Sequence, residues 1–270
     1  SASAVSAGAS LTGGSGSVAG PIQKGCWGIT TMPKATLAIA SKNYGSWSLR
    51  GWLLCKMAGL DFEETTVSSD DPSTRAELLL LSPSFLVPCL SHDGVKVWDT
   101  LAIAEYLNEL KPDAGLLPKD PIARARCRSV SGEMHSGFSN LRSALPMNLK
   151  ARFPGHKIWS RAQEDIDRIT SIWRDCLKTY AGPFLFGKIS MADAMYAPVV
   201  TRFVTYDVKL DPVCAPYAKR IMALPDVKEL VIAQGAEAMT NTPAQFLDYV
   251  KQETALYGKI IKTANIKFEN

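Results

Sequence analysis

Apolar residues change their spacing once along this chain, and the change divides it in two. Before about residue 110, short apolar runs with strand spacing alternate with stretches spaced for helices. Residues 35–40 predict a buried strand, 46–58 a helix closed by Gly59, and 62–67 a second strand. A helix over 72–81 follows, with Pro72 in its first turn, where a missing N–H does no harm. Residues 87–90 and 95–98 predict two strands around Ser91-His92-Asp93-Gly94, whose Asp-Gly step favours a hairpin. A helix over 99–110 opens on Asp99 and Thr100, both good residues at a helix start. Past a polar, proline-rich connection only helical spacing remains, over 122–144, 159–180, 190–206, 213–223 and 226–233. The expected fold class is α/β plus all-α: a βαβαββα domain followed by an all-helical one.

The domain expectation is accordingly 32–110 for the mixed domain, 111–121 for a linker and 122–233 for the helical domain. Residues 1–31 are rich in Ser, Ala and Gly, with Lys24 their only charge. They lack the basic start and apolar centre of a secretion signal and the arginines of a transit peptide. They are expected to be a disordered extension, with Met32 read as the original start. Residues 234–270 form a C-terminal extension whose structure the pattern does not define.

Composition changes this picture little. A chain of 270 residues can bury two cores. Its 46% hydrophobic and 21% charged residues are ordinary for a globular protein. The net charge of +4 comes from scattered Lys and Arg, which argues against nucleic acid as a partner. No apolar run approaches a membrane span, so no membrane is expected. The six cysteines are dispersed, without a C-x-x-C step or metal-like pairing with the three histidines. That usage suits reduced thiols in a cytoplasmic protein with no metal.

Three short stretches carry candidate chemistry. In Val87-Pro88, proline removes a ladder donor and so belongs at a bend or edge. A cis bond there would let the Val87 backbone groups face a cleft and pair with a peptide; the alternative is an ordinary trans proline opening a strand. Asp99-Thr100 begins a helix straight after a strand. Its N–H groups and the Thr100 hydroxyl suit a carboxylate, while Asp99 can accept from an ammonium group. Simple capping by Asp99 is the competing reading, and the two are compatible. Ser46, in Asn43-Tyr44-Gly45-Ser46-Trp47-Ser48-Leu49-Arg50, lies at the first turn of the first helix. Its hydroxyl can donate to a thiolate and favour the charged form. It could equally be a cap, with Ser48 competing for that place.

From about Met32 to Ala233 the chain resembles a glutathione S-transferase of the bacterial serine type, related to the zeta and theta classes. Ser46 matches the second serine of the zeta-type S-S-C-S-W-R-V-R motif and Arg50 its first arginine, while Gly45 and Trp47 replace the first serine and the cysteine. The resemblance implies a thioredoxin-like N-terminal domain. It implies that Val87 and Pro88 form the cis-proline step holding the cysteinyl backbone of glutathione, that Asp99 and Thr100 hold its γ-glutamyl head, and that Ser46 is catalytic. It further implies that a small, largely apolar electrophile is the second substrate and that the protein is a homodimer. Gly187-Lys188-Ile189-Ser190-Met191-Ala192-Asp193 resembles the family's S-x-x-D helix start and is read as structural. In Glu133-Met134-His135-Ser136-Gly137-Phe138 and beyond, His135 and Arg142 are placed on the helix facing the cleft, as co-substrate pocket residues or as interdomain packing.

Departures from the pattern bear on function. Leu86 stands where zeta-type enzymes carry a polar residue, which leaves the glycine end of glutathione without an assigned contact. The missing motif cysteine weakens the link to that class's isomerase activity, and no cysteine takes a nucleophile position. Cys89 is expected to face the core. Residues from Asn241 to Ile266 resemble the end of tripartite tricarboxylate solute receptors, too short a stretch to form that receptor's cleft. Three functions stay in view: a transferase conjugating glutathione to electrophiles, a glutathione-dependent isomerase, and a non-catalytic binding or scaffold protein.

Overall fold

Strand β1 (Ala35–Ile39) runs through the middle of a four-stranded sheet and is buried almost throughout. The structure, a computed structural model, describes residues 35–67 and 86–233. Along one edge β1 pairs in parallel with β2 (Glu63–Thr66), in register Thr36 to Glu63. Along the other it pairs antiparallel with β3 (Cys89–His92), which pairs antiparallel with β4 (Val95–Trp98). Parallel neighbours need a crossover, and helix α1 (Ser46–Met57) provides it. Between β3 and β4, Asp93 and Gly94 take φ of 45° and 81°, the pair of left-handed residues that a two-residue hairpin requires. Helix α2 (Thr100–Leu110) closes this half, and a short 3-10 turn, Pro112–Ala114, begins the connection beyond it. The helix expected over 72–81 lies outside the described residues, as do both terminal extensions and the receptor-like tail.

The second half is helical: α3 (Pro121–Ser136), α4 (Ser139–Ala144), α5 (Ser160–Tyr180), α6 (Met191–Thr205), α7 (Cys214–Met222) and α8 (Pro225–Ala233). Two elements differ from the sequence expectation. The third strand begins at Cys89, not residue 87, because Pro88 has no N–H to offer a ladder. The single helix expected over 122–144 is two helices. Gly137 leaves the helical conformation and Phe138 turns left-handed, with φ of 61°. A left-handed non-glycine residue costs about 1–2 kcal/mol, which burial of the Phe138 ring offsets.

Helix α6 is the axis of the molecule. Nearly all its residues are buried, and it packs on α1, α3 and α7. Trp173 of α5 meets the rings of Tyr196 and Tyr217 edge-on. Its start is fixed by Asp193, whose Oδ2 accepts from the Ser190 N–H at 2.8 Å and the Ser190 hydroxyl at 3.1 Å. Oδ1 accepts from the Leu185 N–H at 3.2 Å and the Tyr217 hydroxyl at 3.1 Å. Met191 then donates to the Leu116 carbonyl at 2.7 Å, tying the helix start to the connection after α2. Among the described residues the main apolar core runs from the sheet into the helices, and a small second cluster holds Ala38, Val67 and Cys89. Cys89, expected to face inward, is 1% exposed.

Candidate active site

Ser46 and Ser48 compete on paper for one role, and the structure separates them. The N-cap of α1 is Gly45, and Ser46 is the first helical residue. Ser48 is buried and accepts from the Ala40 N–H at 3.0 Å, locking the corner between β1 and α1. Gly45 stands where the motif has serine because a Cβ there would lie 2.4 Å from the Ser41 carbonyl oxygen. Asn43 ties this loop to the helical half by accepting from the Leu149 N–H at 2.8 Å. The Ser46 hydroxyl accepts at 3.3 Å from Nη2 of Arg202, on α6. A hydroxyl has one donor and two acceptor positions, so this contact leaves the Ser46 proton available.

Val87-Pro88 is a cis step, directly before β3. The Pro88 ring lies against α1 at Gly51, where an added Cβ would be 2.6 Å from both Cβ and Cγ of the proline. A glycine inside a helix costs about 0.5–1 kcal/mol, and here close approach requires it. Gly51 was not singled out in the sequence, although a glycine within an apolar helical stretch is a signal for such an approach. Proline's ring cannot swing aside. Gly51→Ala is therefore expected to push α1 off Pro88 and destabilise the fold by about 1–3 kcal/mol. A thermal melt checks this; an alanine variant that melts with the wild type excludes the tight contact.

Asp99 and Thr100 sit where the sequence places them, but Asp99 has more partners than a cap alone. Its φ is 75°, and Oδ1 accepts from the Leu101 N–H at 2.8 Å and the Ala102 N–H at 3.4 Å. Oδ2 accepts from Nε2 of His135 at 2.6 Å. Thr100 is 1% exposed and its Oγ1 has no hydrogen-bond partner. A buried hydroxyl left unsatisfied costs about 1–3 kcal/mol.

His135 and Arg142 belong to the same constellation. The break at Gly137-Phe138 carries Arg142 back over the end of α3, where its Nη2 donates to the carbonyls of Met134 and His135. The Trp47 ring lies 4.9 Å from the His135 ring, 4.6 Å from the Arg50 guanidinium carbon and 4.7 Å from that of Arg142. Arg50 is 1% exposed and donates through Nε to the Met195 carbonyl at 2.8 Å. Arg202 donates through Nε to the Leu145 carbonyl and through Nη1 to the Pro198 carbonyl, at 2.8 and 2.9 Å. Burial, with repulsion from Arg202 and Arg142, holds the Arg50 pKa well below its ordinary value. Burial and then Arg142 bring Arg202 down to about 10. Arg202 was missed in the sequence; its signal is a lone cation in the apolar stretch of α6.

Three of the described thiols are poor nucleophiles. Burial pushes Cys55, Cys127 and Cys214 up to about 12. Among the described residues no group of His, Cys, Asp and Glu could hold a metal ion, and no helix is long and apolar enough to cross a membrane.

Residues 44–110 match the family model for the glutathione S-transferase N-terminal domain, and residues 156–225 that for the glutathione S-transferase C-terminal domain. A probable maleylacetoacetate isomerase of Caenorhabditis elegans is 30% identical over 172 residues, 62% of this chain and 78% of that protein. The chain belongs to the glutathione S-transferase family. The maleylacetoacetate isomerase of Rattus norvegicus is 32% identical over 171 residues, 62% of this chain and 77% of the rat protein. A crystal structure of a glutathione transferase homolog from Burkholderia gl BGR1, with bound glutathione, superposes with a TM-score of 0.58 at 26% identity. It covers 74% of this chain and 97% of that one. The mixed sheet followed by helices is thus the glutathione S-transferase fold that the sequence resemblance implied.

Proposed function

We propose that this protein binds glutathione with residues 32–110 and joins it to a small electrophile held against residues 122–233. The observation that carries this reading is Ser46: first residue of α1, its oxygen occupied by Arg202 and its proton left to donate. Glutathione supplies a thiol, whose ordinary pKa of about 8.5 leaves it mostly protonated at neutral pH. The Ser46 O–H donates to the sulfur and the N-terminus of α1 favours negative charge there, so both stabilise the thiolate. Val87 presents backbone groups beside Pro88 to the cysteinyl unit. Thr100 Oγ1, which has no partner, donates to the γ-glutamyl carboxylate, and Asp99 accepts from its ammonium group. Asp99 does so while holding His135, so one carboxylate joins the glutathione side of the cleft to the co-substrate side. Catalysis is positioning plus stabilisation of the ionised sulfur. A cytoplasmic homodimer completes the proposal.

A glutathione-dependent isomerase is the second reading, favoured by the names of the worm and rat relatives. It would use the same residues and regenerate the thiol. Retention on immobilised glutathione, followed by turnover of electrophilic and of cis-olefinic substrates, tests both. Glutathione consumption marks the transferase, and isomerisation without consumption marks the isomerase. A protein that neither binds glutathione nor turns over either class is a scaffold, and the proposal fails.

A further inference from the structure

Lys and Arg are scattered along the chain, but acids are not scattered with them: none stands between Glu133 and Glu164. Within that stretch residues 150–159 join α4 to α5, and all of them except the half-buried Ala151 and Ile158 are exposed. The segment is built, not loose. Phe153 donates through its N–H to the Thr205 carbonyl at 2.7 Å, and the His156 N–H closes a turn on the Phe153 carbonyl at 3.3 Å. Pro154 and Gly155 take the two central places of that turn, and Gly155 has the left-handed φ, 71°, that the second place requires. The Phe153 and His156 rings both pack on Tyr206, just past the end of α6, at 5.2 and 4.9 Å. Phe153 is still 45% exposed and Trp159 49%. Lys150, Arg152 and Lys157 have no carboxylate partner among the described residues, and the Arg152 guanidinium donates only to the Leu149 and Ala151 carbonyls. Asp207, next to Tyr206, is taken up by Lys209 at 2.7 Å, and Asp165 by the Leu141 N–H and Arg142. Arg161 is not counted with the three, because Glu164 and Asp165 stand one turn further along α5.

We infer that this segment docks the protein on an anionic lipid bilayer, with Lys150, Arg152 and Lys157 among the headgroups and the Phe153 and Trp159 rings just beneath them. Single exposed rings are ordinary, but here two rings alternate with three unpaired cations in one short clamped segment. Tryptophan beside Lys and Arg is the composition of a bilayer interface, where a ring finds one apolar side and one wet side. Nucleic acid binds through many phosphate contacts, and three cations interrupted by apolar residues suit it poorly. No described helix is long and apolar enough to cross a membrane, yet a surface contact needs no span. Because the turn is already fixed on Tyr206, docking orders little chain and loses little entropy. Leu149, next to Lys150, donates to Asn43 in the loop before α1, so docking brings that loop close to the lipid. The inference stands apart from the glutathione reading, which can fail without touching it.

The test sediments the full chain with vesicles of phosphatidylcholine alone and with vesicles that also contain about 30% phosphatidylserine. At low salt the wild type is expected to bind the anionic vesicles and not the neutral ones, and to release as salt screens the surface. One cation near such a surface is worth about fivefold in affinity, so Lys150→Gln with Lys157→Gln should bind about 20-fold more weakly. Lys150→Arg with Lys157→Arg keeps both charges and should bind like the wild type. Lipids brominated along the acyl chain should quench the fluorescence of the wild type more than that of Trp159→Phe. No wild-type binding to the anionic vesicles, or equal binding to the neutral ones, overturns the inference. So does a glutamine pair that binds as tightly as the wild type, because the contact then lies elsewhere on the chain. Quenching that Trp159→Phe reproduces in full overturns the placement of the rings. Retention on RNA with both kinds of vesicle left unbound also overturns the inference, and marks a polyanion surface of another kind.

Discussion

Replacing Ser46 with alanine is expected to lower turnover roughly 10- to 100-fold while leaving glutathione affinity within about twofold. A hydrogen bond to a charged group contributes about 1.5–3 kcal/mol, and only the ionised sulfur receives the full amount. The loss should therefore show as a rise of about one to two units in the pKa of the bound thiol, since one unit corresponds to about 1.4 kcal/mol. Ultraviolet absorbance of the thiolate, followed against pH with glutathione bound, reads that shift directly. Ser46→Thr retains a hydroxyl at the same helical position and should recover much of the rate. Nη2 of Arg202 loses its acceptor in the alanine variant, so a melt must accompany the kinetics. A well-folded alanine variant with full turnover and an unchanged thiol pKa removes Ser46 from the chemistry.

How far this site was legible depends on the kind of contact that makes it. Ser46, Val87, Pro88, Asp99 and Thr100 fall at element ends, where turn and capping chemistry leaves a local signature, and the structure places each at such an end. The hairpin was legible for the same reason: Asp93 and Gly94 are neighbours with special backbone needs. Contacts across the fold left weaker traces. Arg202 lies 156 positions from Ser46, and nothing local to either residue announces their meeting. Gly51 against Pro88 is likewise a contact between two separate elements. The break at Gly137-Phe138 was missed because helical spacing continues across it. That break matters to the site, since an unbroken helix would carry Arg142 onward instead of folding it back over His135. The family adds what spacing cannot: a pattern of separate motifs that only one fold brings together.

The second large effect is structural and belongs to Asp193. Its carboxylate is fully buried and accepts from Ser190, Leu185 and Tyr217, so alanine would strand several buried donors at once. Each such donor costs about 1–3 kcal/mol, for a total of about 3–5 kcal/mol against a typical stability of 5–15. Asp193→Ala should thus melt roughly 10 °C or more below the wild type, or fail to accumulate as folded protein. The conservative Asp193→Asn isolates the charge. Burial, outweighing the donors around it, raises the Asp193 pKa from 3.8 to about 6. Because the folded value lies above the unfolded one, the folded state holds this proton more tightly. The stabilisation from Asp193 is then complete below about pH 4 and is lost as pH rises through about 6, a swing of about 3 kcal/mol. The stability of the wild type relative to Asp193→Asn should accordingly fall between pH 4 and 6 and level off above. Urea unfolding of the two proteins across that window measures the difference. A gap that widens in favour of the wild type as pH rises would mean that the surrounding donors outweigh burial and keep the carboxylate ionised.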